Sequence, residues 1–122
     1  MNTYRITSVE DTRFADFLSV YSVSFPIYEQ RTSEQHKKAL ASSNYIVQCY
    51  EREGAFLGFV VYWIFADYIY IEHLAIHPEQ RGKNFGSLIL KQFIAQHKLR
   101  VLLEIDPLND CKSIKRYEFY KN

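Results

Sequence analysis

The chain has 122 residues, enough for one domain with its own core and too few for two. Apolar residues make up 48% and charged residues 24%, a balance that excludes a disordered tail. Lys and Arg number 15 against 14 Asp and Glu, and the net charge of +1 gives no electrostatic case for binding nucleic acid. The N-terminal stretch MNTYRITSVE is mixed and polar, unlike a signal peptide, and the longest apolar run, 56 to 66, is too short to span a bilayer. Cys49 and Cys111 read as reduced thiols, mostly buried. The expectation is a soluble, cytoplasmic protein of one domain, residues 1–122, with no membrane partner.

Thr3 to Val9 alternates and predicts a short strand. Phe14, Phe17, Leu18, Tyr21 and Phe25 recur at helical spacing, and Pro26 stops that helix. Thr32-Ser33-Glu34-Gln35 matches a capping box that opens a second helix to about Ala41. Tyr45 to Arg52, Phe56 to Phe65 and Tyr68 to His77 read as three strands joined by tight turns, an antiparallel meander. On the last of these, strict alternation puts Tyr70, Glu72, Leu74 and Ile76 on one face, and Ile71, His73, Ala75 and His77 on the other. After a polar loop, Gly86, Ile89, Leu90, Phe93, Ile94 and His97 form a helical stripe. Val101 to Asp106 is a further strand, parallel to its predecessor through the crossover helix. Asn109 or Asp110 caps a predicted last helix through Ile114, Tyr117 and Tyr120. The predicted fold is α/β (α+β), in the order β-α-α-β-β-β-α-β-α.

The informative stretch lies between the third meander strand and the crossover helix. Arg81, Gly82, Lys83 and Gly86 stand where the strand gives way to the helix. A helix N-terminus leaves N–H groups unpaired and its dipole favours an anion. Glycine lets the backbone approach a phosphate, and the two cations add charge, so the loop suits a diphosphate. The plain alternative is a strand-to-helix turn with solvated basic residues. The glycine spacing is not that of a dinucleotide-binding fingerprint, and no Gly-Lys-Ser/Thr marks a P-loop.

The run Leu74-Ala75-Ile76-His77-Pro78-Glu79-Gln80-Arg81-Gly82-Lys83-Asn84-Phe85-Gly86 resembles the acetyl-CoA signature of the GNAT superfamily of N-acetyltransferases, Gln/Arg-x-x-Gly-x-Gly/Ala. Asn84 replaces the signature's first glycine, and Asn is a residue that tolerates a left-handed backbone. Ser24 to Arg31 resembles the family segment between the first two helices, beside the acceptor cleft. Leu103-Glu104-Ile105-Asp106, Asn109 and Phe119-Tyr120 resemble the fifth strand and the helix after it. The resemblance thus spans the chain and implies a GNAT-like mixed sheet. In the family, Gly-Phe and two more strands follow the tyrosine; the chain ends at Asn122, so a domain truncated after its fourth helix is expected. That truncation would leave the fifth strand's edge open to a second copy, a homodimer contact, and would impair activity.

The activity implied is transfer of an acetyl group from acetyl-CoA to a primary amine, on a small molecule or a peptide. An alkyl amine has a pKa near 10, so a general base helps. The resemblance makes Glu72 the base, with His73 the weaker candidate, and Tyr120 the acid that protonates the departing thiolate. It implies that the backbone of Leu74, Ala75 and Ile76 pairs with the pantetheine arm. It implies that Arg81, Gly82, Lys83, Asn84, Phe85, Gly86 and Ser87 hold the pyrophosphate, with Asn109 joining the cofactor-binding set. Plain alternatives stand beside these roles: an ion-paired carboxylate for Glu72 and a core tyrosine for Tyr120. No metal is expected, because His73 and His77 lie on a strand and lack the HExxH pattern. The competing functional reading is a degenerate, non-catalytic CoA-binding or assembly module.

Overall fold

The computed structural model describes residues 1–105 and the strand 115–119. A six-stranded sheet runs in chain order: β1 (Asn2–Ile6), β2 (Tyr45–Arg52), β3 (Ala55–Ile64), β4 (Tyr68–Ile76), β5 (Arg100–Ile105) and β6 (Lys115–Phe119). All neighbours are antiparallel except β4 and β5, which are parallel, as the crossover through the intervening helix requires. The β2–β3 turn carries Glu53 and Gly54 at φ 52° and 81°, both in the left-handed region that a tight hairpin of this kind needs.

Helices cover both faces. On one side lie α1 (Phe14–Ser24) and α2 (Ser33–Leu40); on the other lies α3 (Phe85–Gln96). Phe17, Val20 and Tyr21 of α1 are buried among Val47, Phe59, Val61 and Ala75 of the sheet. Ile89 and Phe93 of α3 are buried among Val60, Tyr62, Ile69, Ile71 and Val101. The capping box is formed as predicted: Gln35 N–H donates to Thr32 Oγ1 at 3.2 Å, and Thr32 N–H donates to Gln35 Oε1 at 2.8 Å. Cys49 is a buried free thiol, and burial pushes its pKa up to about 12, which suits a packed side chain and not a nucleophile.

Two expectations are corrected. The last predicted helix does not extend over its C-terminal part. Lys115–Phe119 is instead a strand, pairing with β5 from Val101↔Phe119 to Ile105↔Lys115. Its residues from Arg116 to Phe119 also alternate with period two and include aromatics that favour strands, and the neighbouring edge offered a ladder. The β5 edge expected to be open is therefore paired. Asn109, Cys111 and Tyr120 lie outside the described residues.

The second correction concerns β4. Val61 of β3 pairs with His73 and Tyr62 pairs with Ile71, so Glu72 is an extra residue, a β-bulge. The bulge breaks the strict alternation. Ile69 and Ile71 face α3 together with Leu74 and Ile76, while His73 and Ala75 face α1. Ile71 and His73 are thus on opposite faces, where the unbroken period predicts one.

Candidate active site

Strand β4 changes character at Glu72. Its pairing with β5 runs from Tyr68↔Arg100 to Ile71↔Leu103, yet β4 continues to Ile76 and β5 to Ile105. The two parallel strands therefore part after Ile71. Backbone groups from Glu72 onward lose their β5 partners, including those of Leu74, Ala75 and Ile76. Buried or sheltered backbone groups need partners, so an extended ligand chain can enter this gap as a strand would. On the other side β4 stays close to β3: a Cβ added at Gly58 would overlap the Ala75 carbonyl oxygen and stand 3.1 Å from Ile76 Cα.

The signature loop follows. His77 begins a short 3-10 turn, Pro78–Gln80, and its Nδ1 accepts from Glu79 N–H at 3.1 Å. Gly82 has φ 79° with open space around it. Asn84 sits at the N-cap of α3 at φ 67° and ψ 18°, the left-handed conformation that its replacement of a glycine predicts. Its side chain makes no capping bond. The Asn84 carbonyl accepts from Leu88 N–H at 3.3 Å, which leaves the N–H groups of Phe85, Gly86 and Ser87 without an intrahelical acceptor. Gly86 packs on Ile76, its built Cβ 3.7 Å from Ile76 Cγ1, so the helix start lies against the end of the parted strand. Arg81 donates to the Ile76 carbonyl at 3.1 Å and to Ser24 Oγ at 3.3 Å, tying the loop to β4 and to the end of α1. Lys83 is exposed, its Nζ 3.4 Å from Gln80 Oε1. One dipole end, the first N–H groups of α3 and two cations thus converge beside an edge of β4 that has no strand partner among the described residues.

An open cleft of about 450 Å³ is lined by Glu29, Gln30, Arg31, Gln35, Lys38 and Glu72. Arg31 precedes the capping box, so α2's fixed start aims it at the sheet. It binds both oxygens of Glu72, Nη1 to Oε2 at 2.6 Å and Nη2 to Oε1 at 2.9 Å. Its guanidinium also lies over the Tyr45 ring at 4.9 Å, and its backbone N–H donates to the Tyr21 hydroxyl at 2.9 Å. The Glu72 hydrogen bonds hold Arg31 more firmly protonated than usual. Gln30 donates to the carbonyls of Ser22 and Phe25, satisfying the end of α1 and fixing the connection. Glu72 is thus the ion-paired carboxylate that stood as its plain alternative. No motif links Arg31 to Glu72, because the two lie 41 positions apart and nothing periodic connects them.

The bulge sets His73 on the same side as Glu72. Its ring lies 4.2 Å from that of Phe25 and meets the Tyr21 ring edge-on at 5.5 Å. Burial lowers its pKa, with Arg31 acting in the same direction and Glu72 against. Beneath it, His36 of α2 is buried against Phe14, Phe17 and Tyr21, and burial lowers its pKa as well. Among the described residues, no group of three His, Cys, Asp or Glu side chains could hold a metal, and no helix is long and apolar enough to cross a membrane.

The sequence profile of the Acetyltransferase (GNAT) family matches residues 9–119, and the chain belongs to that family. It is similar in fold to a protein from Bacteroides thetaiotaomicron assigned to the GNAT acetyltransferases, with a TM-score of 0.79, 23% identity, and 88% of this chain covering 62% of that one. The ribosomal-protein-S18-alanine N-acetyltransferase of Escherichia coli gives a TM-score of 0.65 at 17% identity, with 88% and 70% covered. An aminoglycoside 6'-N-acetyltransferase complexed with coenzyme A gives 0.68 at 11% identity, with 88% and 63% covered. The chain thus spans less than two thirds of the first of these structures. No protein of curated function matches it in sequence.

Proposed function

We propose that the protein transfers an acetyl group from acetyl-CoA to a primary amine of a small molecule or peptide. The observation that carries this reading is the left-handed Asn84, which turns the loop so that the free N–H groups of α3 open beside the parted edge of β4. In this reading Gly82 to Ser87 receive the pyrophosphate, with Arg81 and Lys83 supplying charge. Leu74, Ala75 and Ile76 pair with the pantetheine arm, and one of their N–H groups polarises the thioester carbonyl. Asn109 joins this set, and Tyr120 gives a proton to the departing thiolate. Arg31 occupies one lone-pair direction on each Glu72 oxygen, and the remaining directions can accept from the acceptor nitrogen and orient it. The acceptor enters through the cleft between Glu29, Lys38 and Glu72.

The test is calorimetry with CoA and acetyl-CoA, followed by thiol release against a panel of amines. Binding with amine-dependent release of CoA thiol is expected. Arg81→Glu should weaken CoA binding about tenfold or more, since it puts a negative charge beside the diphosphate and cuts the tether to Ile76. Unchanged affinity would remove the diphosphate from this loop. Binding without turnover on any amine would favour the non-catalytic module, which the asparagine in place of the signature glycine also suits.

A further inference from the structure

The cleft beside Glu72 holds more hydrogen-bonding capacity for an anion than the ion pair uses. Arg31 turns its Nη1–Nη2 edge to the two oxygens of Glu72, and Nη1 also donates to the Tyr45 hydroxyl at 3.5 Å. A guanidinium has further N–H donors in a fixed fork. The Nε–H of Arg31 and the outer N–H of Nη2 form a second such edge, with no partner among the described residues. The Tyr45 ring behind the guanidinium and the Tyr21 hydroxyl on the Arg31 backbone N–H hold that edge in place. Lys38 of α2 lines the same cleft, is exposed, and has no ion-pair partner among the described residues.

We infer that the acceptor is a free amino acid, its carboxylate bound by the second edge of Arg31 and by Lys38 and its α-amine by Glu72, an assignment that rests on the acetyl transfer proposed above. One guanidinium then holds two carboxylates, that of Glu72 and that of the acceptor. The α-nitrogen, a single carbon away from the acceptor's carboxyl group, is brought to the lone pairs that Arg31 leaves open on Glu72. The nitrogen attacks the thioester carbonyl, and the C–N bond forms as the C–S bond breaks. Of the two protons the ammonium gives up, one leaves on the CoA thiol and one goes to solvent. The product is an N-acetyl amino acid that has lost its cation and is held by its carboxylate alone.

The charges of the cleft fit this acceptor. Arg31 and Lys38 are balanced by Glu29 and Glu72, with the amides of Gln30 and Gln35 between them. A zwitterion with an uncharged side chain matches that balance. A peptide N-terminus has a neutral amide where the carboxylate would stand, and leaves the second edge of Arg31 and Lys38 unanswered. A polyamine brings further positive charge beside the same two cations.

The experiment is thiol release at saturating acetyl-CoA with matched sets of acceptors. Each set holds a neutral amino acid, its carboxamide, and the amine that lacks the carboxyl group; a short peptide and a polyamine complete the panel. The amine of a carboxamide is the more easily deprotonated, so a preference for the acid comes from the site and not from intrinsic reactivity. For the best amino acid, kcat/KM should exceed that of its carboxamide about tenfold or more. Lys38→Met should raise KM for the acid about fivefold, leave kcat within about twofold, and narrow the preference, while CoA affinity holds. The acceptor series needs no variant, and Lys38 is exposed, so loss of folding does not decide the outcome. Equal or better turnover of the carboxamides or carboxyl-free amines, acetylation of the peptide or polyamine with the amino acids untouched, or an unaltered preference in Lys38→Met would overturn the assignment and leave acetyl transfer standing. If no amine of the panel released thiol, acetyl transfer itself would fall, and the assignment with it.

Discussion

The two halves of β4 obey different rules. From Tyr68 to Ile71 the strand is paired on both sides, and Ile69 and Ile71 are fully buried between the sheet and α3. From Glu72 to Ile76 it has a bulge against β3, no partner on β5, and two successive titratable side chains on one face. The first half is regular because a buried face fixes register. The second half departs from regularity at the residue where backbone donors, a carboxylate and an imidazole become available together. Stability and the proposed chemistry are thus separated by one peptide unit on one strand, and that separation can be tested by substitution.

The largest effect belongs to the first half. Ile71→Ala removes a fully buried side chain at the centre of the α3 face. It should destabilise the fold by about 3 kcal/mol, read as a lower denaturant midpoint at constant slope. The fraction still folded should bind CoA with nearly unchanged affinity, because the side chain faces away from the cleft and precedes the parted edge. A loss of affinity equal to that of a loop variant would deny the two halves their independence.

Gly58→Ala strikes the second half through its β3 neighbour. The added methyl would overlap the Ala75 carbonyl and crowd Ile76, so the two strands must separate. A cost of about 1–3 kcal/mol is expected. Here CoA affinity should fall as well, since the displaced backbone is the one proposed to meet the pantetheine arm and the one to which Arg81 is tied. Stability and affinity falling together, in contrast to Ile71→Ala, would sharpen the division. A destabilised variant with full affinity would erase it.

The legible parts of the molecule were those governed by local rules. The reciprocal Thr32–Gln35 cap, the Glu53–Gly54 turn, the Ile89/Phe93 stripe and the left-handed Asn84 each rest on a few neighbouring residues. The bulge was not legible, because Tyr68 to His77 alternates without interruption and no Gly or Pro marks the extra residue. The Arg31–Glu72 pair was not legible, since it depends on how the connection after α1 folds back onto the sheet. The strand Lys115–Phe119 was misread as helix because Ile114, Tyr117 and Tyr120 also fit helical spacing. Short segments of this kind are decided by the edge they meet, here that of β5.

A smaller effect should come from the layer behind β4's second half, which is titratable where the α3 face is apolar. His36 is only 2% exposed, and its Nε2 is buried with no partner among the described residues. Burial lowers its pKa in the folded chain, and His73 shares the direction. The unfolded chain therefore binds more protons than the folded one as pH drops through the ordinary histidine range near 6.5. Stability should be full above that range, fall as pH decreases through it, and level off below the folded-state values. Melting temperatures between neutral pH and mildly acid pH should drop for the unaltered chain and drop less for His36→Phe. Parallel curves for the two would show that the buried ring does not control acid sensitivity.

Asn84→Gly should have the smallest effect on stability and tests the junction at which β4's second half hands over to α3. Two contributions oppose each other. Glycine removes the cost of holding a side-chain-bearing residue at φ 67°, and Asn84 has no capping bond to lose. Glycine also adds freedom to the unfolded chain, which costs about 0.4–1 kcal/mol. The net change in stability should therefore lie within about 0.5 kcal/mol of zero. Affinity for CoA should be equal or higher, because the backbone conformation is kept while a side chain beside the proposed diphosphate is removed. Calorimetry with CoA reads this directly. A marked loss of affinity at unchanged stability would mean that the Asn84 amide itself donates to the coenzyme, and that this chain replaced a glycine of the family signature with a ligand-binding side chain.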